Sequence, residues 1–217
     1  MTMTTAYALP PASLAPWAEI VPGVGPVTVD ILLTLPDDGY IYEVVERVLI
    51  RVAGSSNRAT RLAMRLGARL LDYVESRRLG VVTGADGVYK FPGVETGLVP
   101  NVGYYGAVRL PLITDEDKPI PFAPELAVEV ASPSQDALEM AAKARRYLDG
   151  GTRLVWIVWP HGAHIDVWHP AILSRPAETL GIGDTLDGAD VIPGVSYAVR
   201  DLFADPLSER SPDPKPA

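Results

Sequence analysis

Residues 121–160, PFAPELAVEVASPSQDALEMAAKARRYLDGGTRLVWIVWP, pack a strand, a helix and a second strand into about 35 residues. Two strands joined through a helix over so short a stretch form a parallel crossover, so the segment predicts an α/β sheet. Leu126 to Val130, LAVEV, is short, apolar and rich in β-branched residues, which predicts an interior strand. Glu129 interrupts it, and an interior carboxylate must be paired or bound to a metal. Ser132-Pro133-Ser134-Gln135 has the form of a helix start, with Ser132 as N-cap, Pro133 at the first helical position and Gln135 completing a capping box. The helix is expected to run to about Leu148 and to stop at Gly150-Gly151. On it Lys143 shares a face with Glu139 and Tyr147, each four residues away. Leu154 to Trp159, LVWIVW, is the second strand.

Composition is that of a globular chain, 47% hydrophobic and 21% charged in 217 residues, long enough for a sizeable core. The absence of cysteine removes disulfides, thiolate metal sites and a cysteine nucleophile, and suits a cytoplasmic location. The N-terminus lacks a basic segment followed by an apolar core, and no apolar run approaches the roughly 20 residues that span a bilayer, so neither secretion nor membrane insertion is expected. With 19 Lys and Arg against 27 Asp and Glu, the net charge is −8. Such a surface as a whole repels a polyanion, and any contact with nucleic acid must be local.

The helix expected from about Ser56 to Arg78 offers one local candidate. Leu62, Leu66, Leu70 and Tyr73 form its core stripe, while Arg58, Arg61, Arg65 and Arg69 recur at spacings of three and four as a basic stripe. The arginines are either the solvated side of an amphipathic helix, as any surface helix shows, or a contact for DNA phosphates.

Elsewhere, residues 1–25 are rich in proline and small residues and are expected to be an irregular arm. A single domain is expected over 26–206, and the polar, proline-rich 207–217 is expected to be a disordered tail. Tyr42 to Val52 predicts a strand pair. At its centre Glu46-Arg47 lacks residues that tolerate positive φ, which predicts a longer or differently shaped connection. Val81 to about Val99, broken by Gly84, Gly87, Gly93 and Gly97, predicts short strands joined by turns. Val99 to Val108 reads as a strand, Asp115 to Pro119 as a solvated loop, and His161-Gly162 as a hairpin turn before IDVWH.

The segment 121–160 resembles the bacterial family labelled putative restriction endonuclease, a branch of the PD-(D/E)XK nuclease superfamily. Leu35-Pro36-Asp37-Asp38-Gly39 and Tyr42-Glu43-Val44-Val45 are similar to the family's opening. Gly183-Asp184-Thr185-Leu186, Val191-Ile192-Pro193-Gly194 and Asp201-Leu202-Phe203 are similar to its close, so the resemblance spans about 33 to 203. It implies an α/β, restriction-endonuclease-like fold, a central mixed sheet flanked by helices, with extra N-terminal strands and a C-terminal hairpin.

The resemblance further implies a Mg²⁺-dependent DNA endonuclease, with Mn²⁺ as an alternative ion, in which two acids on neighbouring strands hold the metal and a lysine orients the attacking water. Glu129 matches the strand carboxylate. Lys143 matches a lysine moved onto the helix, because Ala131 occupies the superfamily's usual lysine place. Glu43 matches a further acid. At Pro100-Asn101 the family's Pro-Asp has become Pro-Asn, so the implied metal set is Glu129, Asn101 and Glu43. Asparagine offers one neutral carbonyl oxygen and an amide that cannot bind a cation, so Mg²⁺ affinity is expected to fall. Asp86 and Glu95 are conceivable substitutes. A catalytically inactive nuclease-fold module for binding or assembly is the alternative. A homodimer is expected, since duplex cleavage requires two cuts.

Other constellations fare worse. Glu125 shares a strand face with Glu129, but at about 3.3 Å per residue the two are too far apart to share an ion. His164 and Asp166 share one face while His161 falls in the turn and His169 points away, which is no convergent zinc set. Trp156 is expected in the core or at a dimer contact, opposite Trp159. The plain alternative for Lys143 is a surface pair with Glu139. No serine-elbow, P-loop or dinucleotide fingerprint is present.

Overall fold

The computed structural model describes residues 19–52 and 54–204. In chain order the strands begin with β1 (Glu19–Ile20), β2 (Ile41–Val45) and β3 (Val48–Val52), followed by helix α1 (Asn57–Ser76). Next come β4 (Gly80–Thr83), β5 (Tyr89–Phe91), β6 (Thr96–Leu98) and β7 (Val102–Gly106). The predicted crossover follows as β8 (Leu126–Val130), α2 (Ala137–Asp149) and β9 (Leu154–Trp159). The chain closes with β10 (His164–Trp168), β11 (Glu178–Leu180), β12 (Thr185–Asp187), β13 (Ser196–Ala198) and α3 (Val199–Phe203). Of the arm expected over 1–25, residues 1–18 lie outside the described residues and Glu19–Ile20 pair with β3. The tail expected over 207–217 also lies outside them.

The central sheet has the order β11-β10-β9-β8-β7-β4, and it is mixed because β8 and β9 alone run parallel, with Glu129 opposite Ile157. A smaller antiparallel sheet, β1-β3-β2-β6-β5, is built from the N-terminal strands, and β12 and β13 form a C-terminal hairpin. Strand alternation divides β8 between two cores. Leu126, Val128 and Val130 pack with Trp156 against Leu62, Leu66 and Leu70 of α1. Ala127 and Ala131 face the other way, with Met140, Ala144 and Tyr147 of α2 and with Val45, Ile50 and Phe91 of the smaller sheet. Glu129 points into this second layer by the same alternation. Helix α2 buries Met140, Lys143, Ala144, Tyr147 and Leu148, the stripe of a one-sided helix with a lysine set in it.

Three local expectations need correction. Helix α2 starts one turn later than expected, with Asp136 as N-cap and Glu139 completing the capping box. Ser132 to Gln135 form a separate turn, in which the Gln135 side chain accepts from the Ser132 N–H at 2.8 Å. Two caps were thus in competition, and the carboxylate of Asp136, which accepts from both Leu138 and Glu139, won. The β2–β3 connection is a two-residue turn after all, with Glu46 at φ 49° and Arg47 at φ 69°. Its backbone is tied from outside: Arg47 N–H donates to Glu95 O, Glu46 N–H to Thr96 Oγ1, and Val27 N–H to Arg47 O. Those three bonds, at 2.8 to 3.0 Å, offset the strain of left-handed backbone at two side-chain-bearing residues. The strand expected over 99–108 is shorter, ending where a 3₁₀ turn (Ala107–Leu112) begins. Among the described residues no helix is long and apolar enough to cross a membrane.

Candidate active site

Three elements meet at the buried layer between the two sheets. Strand β8 supplies Glu129, β2 supplies Glu43, on the same face as Val45, and α2 supplies Lys143. Lys143 Nζ lies 2.9 Å from Glu129 Oε1 and 3.2 Å from Glu43 Oε1, so a single ammonium bridges two carboxylates from different sheets. All three are almost fully enclosed: Glu43 is 1% exposed, Glu129 5% and Lys143 6%. The plain pairing of Lys143 with Glu139 is not what forms, because Glu139 spends its carboxylate on the N-terminus of α2.

Hydrogen bonds fix the remaining geometry. Tyr147 Oη donates to Glu129 Oε1 at 2.7 Å, and Val99 N–H donates to Glu43 Oε1 at 3.2 Å. Glu43 Oε2 is buried and has no partner among the described residues. Asn101 stands just ahead of β7, and its Oδ1 accepts the N–H of Val130 at 2.7 Å, which holds its carbonyl oxygen beside the end of β8. Glu129, Lys143 and Asn101 line a cleft of about 50 Å³, with Gln135, Ser132 and Ser55 among the other polar walls. Such a volume holds an ion with one or two waters.

The electrostatics follow from enclosure. Burial pushes Glu129 above the ordinary carboxylate value, Lys143 opposes that, and Glu43 adds to it. Burial pulls on Lys143 in the other direction, but the two carboxylates outweigh it and its pKa ends above the usual lysine value. Tyr147 is pushed well above a free tyrosine, first by burial and then by Glu129 and Glu43. Half-buried Arg146 adds a second positive charge near Glu43, and burial lowers its pKa. The cluster therefore keeps its ammonium, and it carries two carboxylates of which one has an unsatisfied oxygen.

The residues named from sequence divide cleanly. Glu129, Lys143 and Glu43 form the cluster, and Asn101 lies with Glu129 and Lys143 on the cleft. Glu95 is committed to Val29 N–H and Lys90, and Asp86 sits at φ 75° in the turn between β4 and β5; neither lines the cleft. Glu125 is engaged with Gly106 N–H, Arg109 and Arg153. Among the described residues no group of three or more His, Asp and Glu side chains is arranged to hold a metal. In the hairpin, Asp166 accepts from Trp159 Nε1 and Thr179 Oγ1, while His164 stacks on the Trp159 ring. Tyr147 and Gln135 also belong to the site, through the Glu129 hydrogen bond and the cleft wall, although sequence motifs do not mark them. The four-residue spacing of Tyr147 from Lys143 was the available signal, and Gln135 was hidden by its role in a turn.

The central mixed sheet, the smaller N-terminal sheet and a carboxylate–lysine cluster at the end of a parallel strand together define the restriction-endonuclease-like fold. The family model Uma2, described as "Putative restriction endonuclease", matches residues 29–200, and the chain belongs to that family. A crystal structure of a putative nuclease belonging to DUF820 from Anabaena variabilis superposes with a TM-score of 0.67 at 19% identity, over 82% of this chain and 98% of that one. None of the curated proteins matches the chain.

Proposed function

We propose that the protein is a divalent-metal-dependent DNA endonuclease whose metal site is weakened by asparagine at position 101. The observation that carries this reading is the Lys143 bridge, which sets one carboxylate and one ammonium, 2.9 Å apart, on the wall of an ion-sized cleft. The donor chemistry suits a hard cation: Glu129 and the Asn101 carbonyl on the cleft wall are oxygen ligands, while Glu43, which does not line the cleft, stands behind them as the second partner of Lys143. Bound there, Mg²⁺ or Mn²⁺ would lower the pKa of a coordinated water and offset charge on the phosphate. Lys143, held protonated by its two carboxylates, supplies a fixed positive charge to orient water or a phosphate oxygen. Tyr147 locks Glu129 in one rotamer by its hydrogen bond, so the carboxylate is preorganised. A homodimer acting in the cytoplasm fits this reading, with one site for each strand.

A second reading, a catalytically inactive module for binding or assembly, is favoured by Asn101. One lone pair of its Oδ1 already accepts the Val130 N–H, and a neutral amide replaces the anionic ligand a hard cation prefers. Incubating supercoiled plasmid with Mg²⁺ or Mn²⁺ separates the two. Nicking by wild type that is lost in Glu129→Ala supports the enzyme, nicking by Asn101→Asp alone identifies a site disarmed by one substitution, and silence from all three supports the module.

A further inference from the structure

We propose that Arg58, Arg61 and His161 form a phosphate-binding pocket that holds the nucleic-acid backbone beside the catalytic cleft; the assignment rests on the endonuclease reading for its ligand. A cavity of about 400 Å³ is lined by these three residues together with Arg65, Leu62 and Phe203. That is ample for a phosphate with its sugar. Among the described residues no acidic side chain lines it, whereas a second basic hollow, at Arg47 and Lys90, contains Glu95. In a chain of net charge −8, a hollow with this lining offers a polyanion local attraction that the surface as a whole does not.

The basic stripe of α1 splits into two functions. Arg65 Nη1 donates to Leu202 O and Ala204 O, each at 2.6 Å, and so closes the C-terminus of α3. Arg69 lies over the Tyr197 ring. Those two arginines hold the C-terminal elements in place. Arg58 and Arg61 are exposed and make no ion pair or side-chain hydrogen bond among the described residues, so both guanidinium forks are available for bidentate contact with phosphate.

Position links the pocket to the cleft. Strands β8 and β9 are parallel with Val130 opposite Val158, so Ser132 of the cleft and His161 of the pocket leave the sheet at the same end. The segment leading into α1 joins them, with Ser55 on the cleft and Arg58 on the pocket. The cleft lies on the α2 side of that edge and the pocket on the α1 side, on the order of 15 Å apart. A backbone crossing the edge reaches both.

The test is binding of a short fluorescein-labelled DNA duplex, read by anisotropy over a salt series in EDTA, with wild type beside Arg58→Gln/Arg61→Gln. Each phosphate contact adds about 0.9 to the slope of log K against log salt. The double variant should lose roughly one to two from the slope and bind on the order of tenfold more weakly at low salt. A control, Arg77→Gln/Arg78→Gln, removes the same charge from the far end of α1 and should change the slope little. Equal losses in both doubles, no loss in either, or no binding by wild type overturns the pocket. Equal thermal midpoints for wild type and Arg58→Gln/Arg61→Gln establish that the variant is folded. Plasmid nicking keeps the two readings apart: a lowered slope without nicking supports the pocket and counts against the endonuclease. Nicking with an unchanged slope does the reverse.

Discussion

Lys143 and Glu129 form an ion pair of 2.9 Å in the layer between two sheets, and the same ammonium also holds Glu43 at 3.2 Å. Burial of this kind is not a simple gain in stability, because removing charges from water costs several kcal/mol per ion and attraction only repays it. The arrangement makes Lys143 the part whose loss is felt most. Its single positive charge offsets two carboxylates from different sheets at once, whereas each carboxylate contributes only one of the two negative charges.

Lys143→Met is therefore expected to destabilise the fold by about 3–5 kcal/mol, since it leaves Glu43 and Glu129 facing each other in the interior. Glu129→Gln keeps an acceptor for Tyr147 and leaves Lys143 paired with Glu43, so a smaller loss of roughly 1–3 kcal/mol is expected. Urea unfolding of the two variants at neutral pH gives the ranking. A smaller loss for Lys143→Met would mean that Arg146 carries most of the neutralisation.

The cluster should also show in the alkaline limb of stability. Tyr147 and Lys143 both have folded pKa values raised above their ordinary 10.0 and 10.5, so the folded state retains protons that the unfolded chain has lost. A contribution of this sign is whole below the unfolded pKa and disappears as pH rises through the folded one. Tyr89, pushed up mainly by burial, acts in the same direction, so wild type should lose stability from about pH 10 upward. The free-energy gap between wild type and Tyr147→Phe should narrow over that same range. A constant gap between pH 9 and pH 11, roughly, would mean that Tyr147 keeps its proton equally in both states.

How much of this was legible in the sequence depended on the range of the interaction. The strand Leu126–Val130 and the strand Leu154–Trp159 were readable to the residue because apolar runs bounded by turn residues are local signals. The Glu129–Lys143 pairing was suggested only by the family resemblance. From spacing alone, Glu139 was the nearer partner, and nothing local shows that Asp136 has claimed Glu139 for a cap. Glu43 lies 100 positions before Lys143 in the numbering and reaches it only because β2 packs over α2, a fact of tertiary assembly. The division of the α1 arginines was equally hidden, since Arg65 is fixed by carbonyls more than 130 positions away.

The β2–β3 turn gives a prediction of the opposite sign. Glu46 and Arg47 occupy left-handed backbone at φ 49° and 69°, at a cost of about 1 kcal/mol or more for each. Asn-Gly suits both positions, although glycine returns part of the gain as unfolded-state entropy. Glu46→Asn/Arg47→Gly should raise the unfolding free energy by roughly 0.5–1.5 kcal/mol, read as a higher urea midpoint with an unchanged slope. A loss instead would show that the Arg47 side chain contributes more than its backbone costs.

Asn101→Asp addresses the departure that separates the two functional readings. The new carboxylate takes the place of an amide whose Oδ1 accepts from Val130 N–H at 2.7 Å, and a carboxylate oxygen accepts that bond equally well. Its second oxygen exchanges a neutral NH₂, which repels a cation, for an anionic ligand beside Glu129. At the dielectric typical of a partly enclosed site one added charge is worth about 1–3 kcal/mol after desolvation, so Mn²⁺ should bind on the order of tenfold or more tightly. Without metal the variant places another acid on the cleft with Glu129, and should lose about 1–2 kcal/mol of stability. Titration calorimetry with Mn²⁺ and thermal unfolding with and without the ion should therefore move oppositely: lower stability in the bare variant, and a larger metal-dependent rise than in wild type. A variant that is destabilised but gains no Mn²⁺ affinity would show that Lys143 already fills the cation's role, and that an aspartate at 101 is not enough to restore a metal site.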